Sequence, residues 1–331
     1  MKTILNRLIN QEVLSREEAK SVLVNISNGQ YNPSQIASFL TVYMMRSITI
    51  DELAGFRDAL LDLCIPVDLS DYTTIDLCGT GGDGKDTFNI STLASFVVAG
   101  AGVKVAKHGN YGVSSISGSS NVMENLGIRF SNDNSFLQQC IEDANICILH
   151  APLFHPAMKN VGGIRKELAV KTFFNMLGPM VNPSFPKNQM VGVFSLELAR
   201  MYAYLYQNTS INFTILNSLD GYDEISLTGS TKVISNRSEQ ILNPDDFNVS
   251  FLNANAIKGG TTVTESAQLF LDIISGKGTE AQNNVVCANA ALALATVNNI
   301  SITDGFGLAQ ESLQSGKALD KLKKLQQLST N

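Results

Sequence analysis

The chain has 331 residues, of which 44% are hydrophobic and 16% charged, and its formal net charge is −6. This length and this hydrophobic fraction suffice for one large core or for two domains of ordinary size. The negative net charge argues against a surface built to bind a nucleic-acid backbone, so any anionic ligand has to be held by local groups.

The cysteines and the apolar runs bear on the cellular compartment. Five scattered cysteines without a C-x-x-C pair indicate free thiols in a reducing environment rather than disulfides or a zinc site. The polar N-terminal stretch around Arg7 lacks the apolar run of a signal peptide. The longest apolar runs, near 93–103 and 285–297, are too short to span a bilayer. We therefore expect a cytoplasmic protein without a nucleic-acid or membrane partner.

The N-terminal region carries strong helix-start signals. Ser15 with Glu18 and Thr49 with Glu52 fit the capping box, in which two side chains reciprocally satisfy free backbone N–H groups. Asn32 followed by a proline fits an N-cap ahead of the first helical position. These signals predict three or four helices.

Short β-branched runs alternate with helical patterns from Thr73 onward, which is typical of parallel strands joined by crossover helices. The five predicted strands cover residues 73–77, 103–108, 146–151, 189–195 and 212–219. Between the third and fourth strands, residues 155–183 have a helical pattern and contain no strand. We expect this segment to leave the sheet and pack with the N-terminal helices.

Together these patterns predict an α/β fold with two domains. A small all-helical domain comprises residues 1–68 and 160–183, and a larger α/β domain comprises residues 72–158 and 188–331. The larger domain is expected to have a mainly parallel central sheet flanked by helices, which include those of the C-terminal segment.

A glycine-rich loop follows the first predicted strand, in the sequence CGTGGDGKDTFNIST of residues 78–92. A P-loop would need a hydroxyl residue where Asp86 stands, and a dinucleotide fingerprint would place its third glycine already inside the helix. The alternatives that remain are a tight turn and a phosphate-binding loop. Four glycines exceed what a turn requires, and a helix that starts near Ile90 offers free N–H groups to an anion.

Two more polar segments follow other strands of the predicted sheet. The second strand ends in Lys107 and is followed by a serine-rich segment that includes Ser117 and Ser120, which suggests a second phosphate-binding element and hence a ligand with two phosphate groups. Asp223 and Glu224 follow the fifth strand, where they form either an acidic surface turn or a site for one or two Mg²⁺ ions. The two phosphate-binding elements favour the magnesium site.

These residues carry a resemblance to a known family. The chain resembles anthranilate phosphoribosyltransferases in seven motifs that occur in order and extend over most of its length. The motifs are GTGGD (79–83), NIST (89–92), KHGN (107–110), HPAMK (155–159), IRKEL (164–168), NMLGPMVNP (175–183) and DEISLTG (223–229).

The resemblance implies transfer of the phosphoribosyl group of phosphoribosyl pyrophosphate (PRPP) to the amine of anthranilate, with release of pyrophosphate, in tryptophan biosynthesis. It also implies Mg²⁺ as the cofactor, with two ions per active site, and a homodimer. The helical domain would provide the dimer contact and part of the anthranilate channel.

The family's functional positions carry over to matching residues of this sequence. PRPP would contact Gly79, Gly82, Asp83, Thr87, Asn89, Ile90, Ser91, Thr92, Lys107, His108, Gly109, Asn110, Ser114, Ser115 and Ser119. Anthranilate would contact Gly79, Asn110, Arg165, His108 and His155, and magnesium would be organised by Ser91, Asp223 and Glu224. No discrete catalytic acid or base is expected, because the attacking amine is already neutral at neutral pH.

The sequence departs from the family pattern at two places. Tyr111 stands where the family usually has an arginine after KHGN, and Gly162 and Gly163 replace the usual pair ahead of IRKEL. Two other functions share parts of the pattern. A pyrimidine nucleoside phosphorylase would need one phosphate site and no acidic magnesium pair, and a non-catalytic nucleic-acid-binding relative should be basic and lack the metal carboxylates.

Overall fold

The computed structural model describes residues 1–112 and 116–330. The helices are α1 Lys2–Ile9, α2 Arg16–Ser27, α3 Pro33–Met45, α4 Ile50–Asp62, α5 Ile90–Gly100, α6 Ser119–Asn125, α7 Asn134–Ala144, α8 Ala151–Phe154, α9 Lys159–Leu168, α10 Phe174–Leu177, α11 Leu196–Tyr206, α12 Val263–Ile274, α13 Glu280–Asn298, α14 Ile302–Gln314 and α15 Lys317–Thr330. Short 3-10 helices cover Pro156–Met158, Gly178–Val181, Pro244–Phe247 and Ala254–Ile257. The strands are β1 Thr74–Gly79, β2 Lys104–Gly109, β3 Ile146–His150, β4 Asn188–Gly192, β5 Asn212–Ser218, β6 Thr231–Ser235 and β7 Glu239–Leu242.

The chain forms two compact units. One unit comprises Met1–Pro66 with Ala151–Pro183, and the other comprises Val67–His150 with Ser184–Asn331. The first unit is helical and the second contains every strand named above. The fold class predicted from the sequence, a small helical part and a larger α/β part, is confirmed.

Local capping signals shape the N-terminal helices of the helical unit. The predicted capping boxes of α2 and α4 are present, and Asn32 caps α3 by accepting a hydrogen bond from the Gln35 N–H at 2.9 Å. An aromatic cluster forms part of the core, in which the Phe56 and Phe173 rings stack with centroids 4.4 Å apart. Because Phe173 comes from the later segment, this contact ties that segment to the N-terminal helices, as predicted.

Residues 151–158 lie in the helical unit, whereas the boundary drawn from the sequence placed them in the α/β domain. Strand β3 ends at His150, and the next residue already begins α8. The Ile65 N–H then donates to the Phe154 carbonyl oxygen at 2.8 Å, which anchors this short stretch within the helical unit. Because Ala151 extends the apolar run of β3, the sequence pattern does not show that residues 151–158 pack in the helical unit.

The α/β unit is built on a seven-stranded sheet with the order β3-β2-β1-β4-β5-β6-β7. The five predicted strands are all present and pair in parallel, so their carboxyl ends meet at one edge. Strands β6 and β7 add an antiparallel ribbon at the β5 side and were not predicted. Strand β7 is exposed except for Leu242, so it lacks the buried β-branched pattern of the others. Strand β6 has the sequence TKVIS, in which Thr231 and Val233 are the buried residues, so its apolar pattern was present but too short to be recognised.

Helix α13 is the most deeply buried long helix of the α/β unit. It contacts α5, α14, β4 and β5, and its residues from Val285 to Leu294 are all buried. Within residues 1–112 and 116–330, no single helix is both long and apolar enough to cross a bilayer. Helices α13 and α14 meet the length and composition requirement only as a pair that is bent by 118°.

Candidate active site

The carboxylate of Asp223 lies against the glycine loop. Strand β5 leads into an acidic loop, defined here as residues 219–224, and Asp223 within it is 8% exposed. The Gly81 N–H donates to Asp223 Oδ2 at 2.7 Å, with Gly81 in the left-handed region at φ 64°. A Cβ atom at Gly79 would overlap Asp223 Oδ2. Close approach of a carboxylate therefore explains the first glycine, and a left-handed backbone explains Gly81.

The carboxylate of Glu224 lies at the N-terminus of helix α5. The Ser91 N–H in the first turn donates to Glu224 Oε1 at 2.9 Å, and the Thr87 hydroxyl donates to Oε2 at 3.4 Å. The Asn89 side chain does not cap α5, and its Nδ2 donates instead to the Ser117 carbonyl oxygen at 3.2 Å. A helix N-terminus stabilises a negative charge, and here that charge comes from the acidic loop.

The two acids form a concentration of negative charge. Burial and then the charge of Asp83 raise the pKa of Asp223 to about 7. Burial and then the charge of Asp223 raise the pKa of Glu224 well above its usual value. Among residues 1–112 and 116–330, no lysine or arginine forms a salt bridge with either acid.

This arrangement fits a divalent cation bound from one side. Within the described part of the chain there is no group of three or more acidic, histidine or cysteine side chains that could by itself enclose a metal ion. Mg²⁺ is commonly bound by one or two carboxylates and keeps several waters or substrate oxygens. Asp223 and Glu224 match that requirement, because two closely spaced carboxylates that form no salt bridge with the protein are stabilised by an external cation.

The end of strand β2 is supported by a buried polar network. Lys107 is 2% exposed, and its Nζ donates to the Leu77 carbonyl oxygen at 2.6 Å. Burial lowers the pKa of Lys107, while the nearby negative charge of Asp76 opposes that shift. Asp76 Oδ1 also accepts a hydrogen bond from the His108 N–H at 3.1 Å. The network fixes the backbone direction from which the KHGN motif leaves the sheet.

The loop after β2 is partly described. The Asn110 carbonyl oxygen accepts hydrogen bonds from the Ser120 N–H at 3.1 Å and from Ser119 Oγ at 3.4 Å. A Cβ atom at Gly109 would overlap Ser119 Oγ, so these two predicted PRPP contacts lie together. The predicted contacts Ser114 and Ser115 lie outside the described residues.

Tyr111 is held by aromatic packing rather than by charge. Its ring packs edge-on against the His150 ring with centroids 4.7 Å apart, and its hydroxyl donates to Glu124 Oε1 at 3.3 Å. His150 also stacks on Phe130 at 4.5 Å, and its Nδ1 lies 2.9 Å from Ser120 Oγ. The tyrosine thus packs between helix α6, which contains Glu124, and the end of strand β3.

Four more of the predicted PRPP contacts lie either in the core of the α/β unit or within the glycine loop. Ile90 and Thr92 are buried within the α/β unit, so their side chains belong to its core. Asp83 Oδ1 accepts a hydrogen bond from the Lys85 N–H at 3.1 Å, within the glycine loop. Gly82 adopts φ 77° in the same loop.

Arg165 is a partly buried cation of the helical unit. Its Nη2 donates to Asn175 Oδ1 at 3.3 Å, and its Cζ lies 5.2 Å from the centroid of the Phe174 ring. Burial lowers its pKa, and no carboxylate within residues 1–112 and 116–330 forms a salt bridge with it. A planar guanidinium in such surroundings is suited to a carboxylate ligand.

His155 lies in the same unit as Arg165. It is 5% exposed, and burial lowers its pKa to about 4, so its ring is neutral at neutral pH. A neutral ring can contribute shape and hydrogen bonding to an aromatic-acid site but no charge. His108, in contrast, lies in the α/β unit at the end of β2.

Two contributions to the site were missed from the sequence. Gly192 at the end of β4 lies so close to Asp223 that a Cβ atom there would overlap the Asp223 carbonyl oxygen. The segment 257–259 pairs with the glycine loop, since the Gly259 N–H donates to the Asp86 carbonyl oxygen at 2.8 Å and Thr87 bridges to Lys258. A glycine at a strand end and the Gly259-Gly260 pair were the available signals.

Comparison with protein families agrees with this architecture. The family described as "Glycosyl transferase family, helical bundle domain" matches residues 2–64, and "Glycosyl transferase family, a/b domain" matches residues 71–319. The fold and the matched domains therefore define a glycosyl transferase composed of a helical bundle and an α/β domain.

Individual relatives identify the family within the glycosyl transferases to which this chain belongs. The anthranilate phosphoribosyltransferase of Flavobacterium psychrophilum is 78% identical over 329 residues, which cover 99% of this chain and 100% of the relative. The crystal structure of the Thermus thermophilus enzyme of that name has a TM-score of 0.91 and 31% identity, with 99% of each chain covered. The chain belongs to the anthranilate phosphoribosyltransferase family.

The enzyme from Saccharomyces cerevisiae provides liganded structures. In complex with PRPP and Mg it has a TM-score of 0.91 and 28% identity, and the alignment covers 98% of this chain and 96% of the yeast chain. The yeast enzyme is also known in complex with 4-fluoroanthranilate, with a TM-score of 0.88, 26% identity and the same coverage.

Proposed function

We propose that this protein transfers the 5-phosphoribosyl group of PRPP to the amine of anthranilate, giving N-(5-phosphoribosyl)anthranilate and pyrophosphate in tryptophan biosynthesis. The observation that carries the proposal is the Asp223–Glu224 pair, whose carboxylates are held against the glycine loop and the α5 N-terminus by backbone N–H groups. That the yeast relative binds PRPP and Mg, and also 4-fluoroanthranilate, supports the same substrates here.

Asp223 and Glu224 would hold Mg²⁺, with Ser91 beside them. When bound, the ion would neutralise negative charge that develops on the departing pyrophosphate. The chain's own contribution is orientation, because the Gly81 and Ser91 N–H groups fix both carboxylates before any ligand arrives. We expect two ions per site, since the acids are adjacent and each retains unshared oxygen lone pairs.

Residues of the glycine loop and the KHGN motif would bind the phosphate groups and the ribose. The donors in this region are the backbone N–H groups of the loop and the side chains of Asn89 and Lys107. The backbone can reach an anion closely because glycines leave it bare. Burial lowers the pKa of Lys107, and the nearby negative charges of Asp76 and Glu224 oppose that shift.

Arg165 would bind the carboxylate of anthranilate through paired N–H donors. Asn175 and Phe174 already restrict the guanidinium, so little side-chain entropy remains to be lost on binding. Asn110, His108 and His155 would complete the acceptor contacts. His155 is neutral at neutral pH and would therefore contribute hydrogen bonding rather than charge to these contacts.

The chemistry requires neither a covalent enzyme nucleophile nor a strong general base. The aromatic amine of anthranilate is neutral at neutral pH, and the bond at ribose C1 would break through a cation-like centre. Holding the amine against that carbon is then the main catalytic task. We further propose that the enzyme works in the cytoplasm as a homodimer formed through the helical unit.

Anthranilate fluorescence provides the test. On mixing with PRPP and Mg²⁺, the protein should consume anthranilate, and omission of either component should stop the reaction. Product formed from thymidine and inorganic phosphate, without anthranilate consumption, would instead establish a nucleoside phosphorylase. The family membership and the acidic loop do not favour that alternative, and the retained carboxylates and net charge of −6 do not favour a nucleic-acid-binding relative.

A further inference from the structure

Asn289 is a fully buried polar residue in an otherwise apolar part of helix α13. It is 1% exposed, and its neighbours along the helix are mainly alanine, leucine and valine. A buried side-chain amide is costly unless its donors and acceptor find partners. The identity of those partners shows what the residue does.

The Asn289 amide pairs with the backbone of Ile225. Its Oδ1 accepts a hydrogen bond from the Ile225 N–H at 3.0 Å, and its Nδ2 donates to the Ile225 carbonyl oxygen at 2.9 Å. The same Nδ2 also donates to the Val285 carbonyl oxygen at 2.9 Å within α13. One side chain therefore replaces the two hydrogen bonds that a neighbouring strand would make with Ile225.

Ile225 directly follows Glu224, so the Asn289 contact acts on the peptide unit that joins them. The N–H of this peptide donates to Asn289, and its carbonyl oxygen, which belongs to Glu224, accepts from Ser218 Oγ at 2.6 Å. Both polar ends of the peptide are thus held by buried side chains from α13 and β5. This fixes the main-chain direction at Glu224 and hence the origin of its carboxylate.

We infer that Asn289 is a positioning residue for the divalent-cation site, because it clamps the Glu224–Ile225 peptide and so presents the Glu224 carboxylate to the ion. The inference rests on the proposed cation-binding role of Asp223 and Glu224. Ser218 acts on the opposite side of the same peptide. Groups that hydrogen-bond a metal ligand directly change metal affinity by about 10- to 100-fold when removed. Asn289 acts on the main chain next to Glu224 rather than on its carboxylate, so we expect an effect at the lower end of that range.

Helix α13 offers a matched control for a purely structural effect. Thr296 lies seven residues after Asn289, on the same side of the helix, and is also buried. Its Oγ1 lies 2.7 Å from Thr214 Oγ1 of strand β5, near the start of that strand rather than at its acidic end. Asn289→Ala removes two buried side-chain hydrogen bonds between α13 and the rest of the α/β unit, and Thr296→Val removes one.

The experiment measures binding of Mn²⁺ alone, followed by the electron paramagnetic resonance of the free ion, to the wild type and both variants. Asn289→Ala should weaken Mn²⁺ binding by about tenfold or more. Thr296→Val should lower the melting temperature but leave Mn²⁺ binding unchanged. The Mg²⁺ concentration for half-maximal turnover should rise in parallel, with KM for anthranilate unchanged. Wild-type Mn²⁺ affinity in folded Asn289→Ala would overturn the inference.

Two further measurements cover the cases in which Asn289→Ala does not fold or the wild type does not consume anthranilate. If Asn289→Ala does not fold, Ser218→Ala releases the other end of the same peptide and should show a smaller weakening in the same direction. Unchanged Mn²⁺ affinity in folded Ser218→Ala would then overturn the inference. If the wild type binds Mn²⁺ but does not consume anthranilate, the proposed function fails while the comparison of variants still decides the role of Asn289.

Discussion

The acidic pair and Arg165 form no salt bridge among the described residues, but they are held in different ways. Asp223 and Glu224 receive hydrogen bonds from Gly81 and Ser91, which lie 142 and 133 residues away in sequence. Arg165 is held by Asn175, only ten residues away. The proposed cation site therefore depends on contacts across the sheet, whereas the proposed site for the anthranilate carboxylate is a local feature of one helical segment.

That difference has an energetic consequence. Repulsion between two close carboxylates raises their proton affinity and is relieved by a divalent cation, so ligand binding and stability are coupled at the acidic pair. A single guanidinium on a partly exposed helix has no such repulsion to relieve. We therefore expect changes at the acidic pair to affect turnover and stability together, and changes at Arg165 to affect one substrate selectively.

The largest effect should come from the double variant Asp223→Asn with Glu224→Gln. Neutral amides bind Mg²⁺ far more weakly than carboxylates do, so turnover should fall by at least about 100-fold, the usual scale for losing one electrostatic contact to a developing charge. Steady-state assays with PRPP and anthranilate measure the loss. Asp220→Asn changes an exposed acid of the same loop, which bonds to Thr228, and should retain most activity. Full activity in the double variant would show that the two acids do not bind the cation.

Arg165→Ala should act almost entirely on anthranilate. A charge-assisted hydrogen bond contributes about 1.5–3 kcal/mol, which corresponds to an increase in KM for anthranilate of about 10- to 150-fold. KM for PRPP should change little. Lys166→Ala on the same helix serves as the control, because that side chain is exposed. Equal increases in both KM values would show that Arg165 does not bind the carboxylate.

Gly192→Ala tests how closely the sheet approaches the acidic loop. The added Cβ would overlap the Asp223 carbonyl oxygen, so the loop has to move, at a cost of about 1–3 kcal/mol typical of overpacking. The variant should unfold at a lower temperature than the wild type. Mg²⁺ should raise its melting temperature by less than it raises that of the wild type. An unchanged melting temperature would mean that the loop is not held against β4.

The pH dependence follows from the raised pKa of Asp223, about 7 in the folded chain against 3.8 for the ordinary group. Between these values the native state binds more protons than the unfolded state, so without Mg²⁺ this group makes stability fall as pH rises. Mg²⁺ competes with those protons and should raise the melting temperature more at about pH 8 than at about pH 6. A larger Mg²⁺ effect at the lower pH would contradict this assignment.

The smallest effect is expected at Gly162, one of the two glycines inside α9 that distinguish this chain from the family pattern. A Cβ there meets no atom within 4 Å, so Gly162→Ala should stabilise the protein by up to about 1 kcal/mol through helix propensity. The melting temperature measures the gain, and KM for PRPP should not change. A lower melting temperature would show that the helix needs the glycine.

The comparison also explains what the sequence could predict. Capping boxes such as Ser15 with Glu18 are local, and the five parallel strands carry a strong apolar pattern, so both were recognised correctly. The roles of Gly192 and Asn289 depend on contacts with residues far away in sequence. Gly192 is marked only by its place at the end of a strand, and Asn289 carries no local signature of its contact. Sequence thus identifies the charged residues of a site more readily than the buried groups that aim them.

Calorimetry of PRPP binding tests the central claim most directly. The account predicts that the wild type binds PRPP with Mg²⁺ present and loses most of that affinity when the ion is chelated, whereas the Asp223→Asn, Glu224→Gln variant binds weakly under both conditions. PRPP affinity that is equal with and without Mg²⁺, or equal in the wild type and the variant, would contradict a cation held by the buried acid pair.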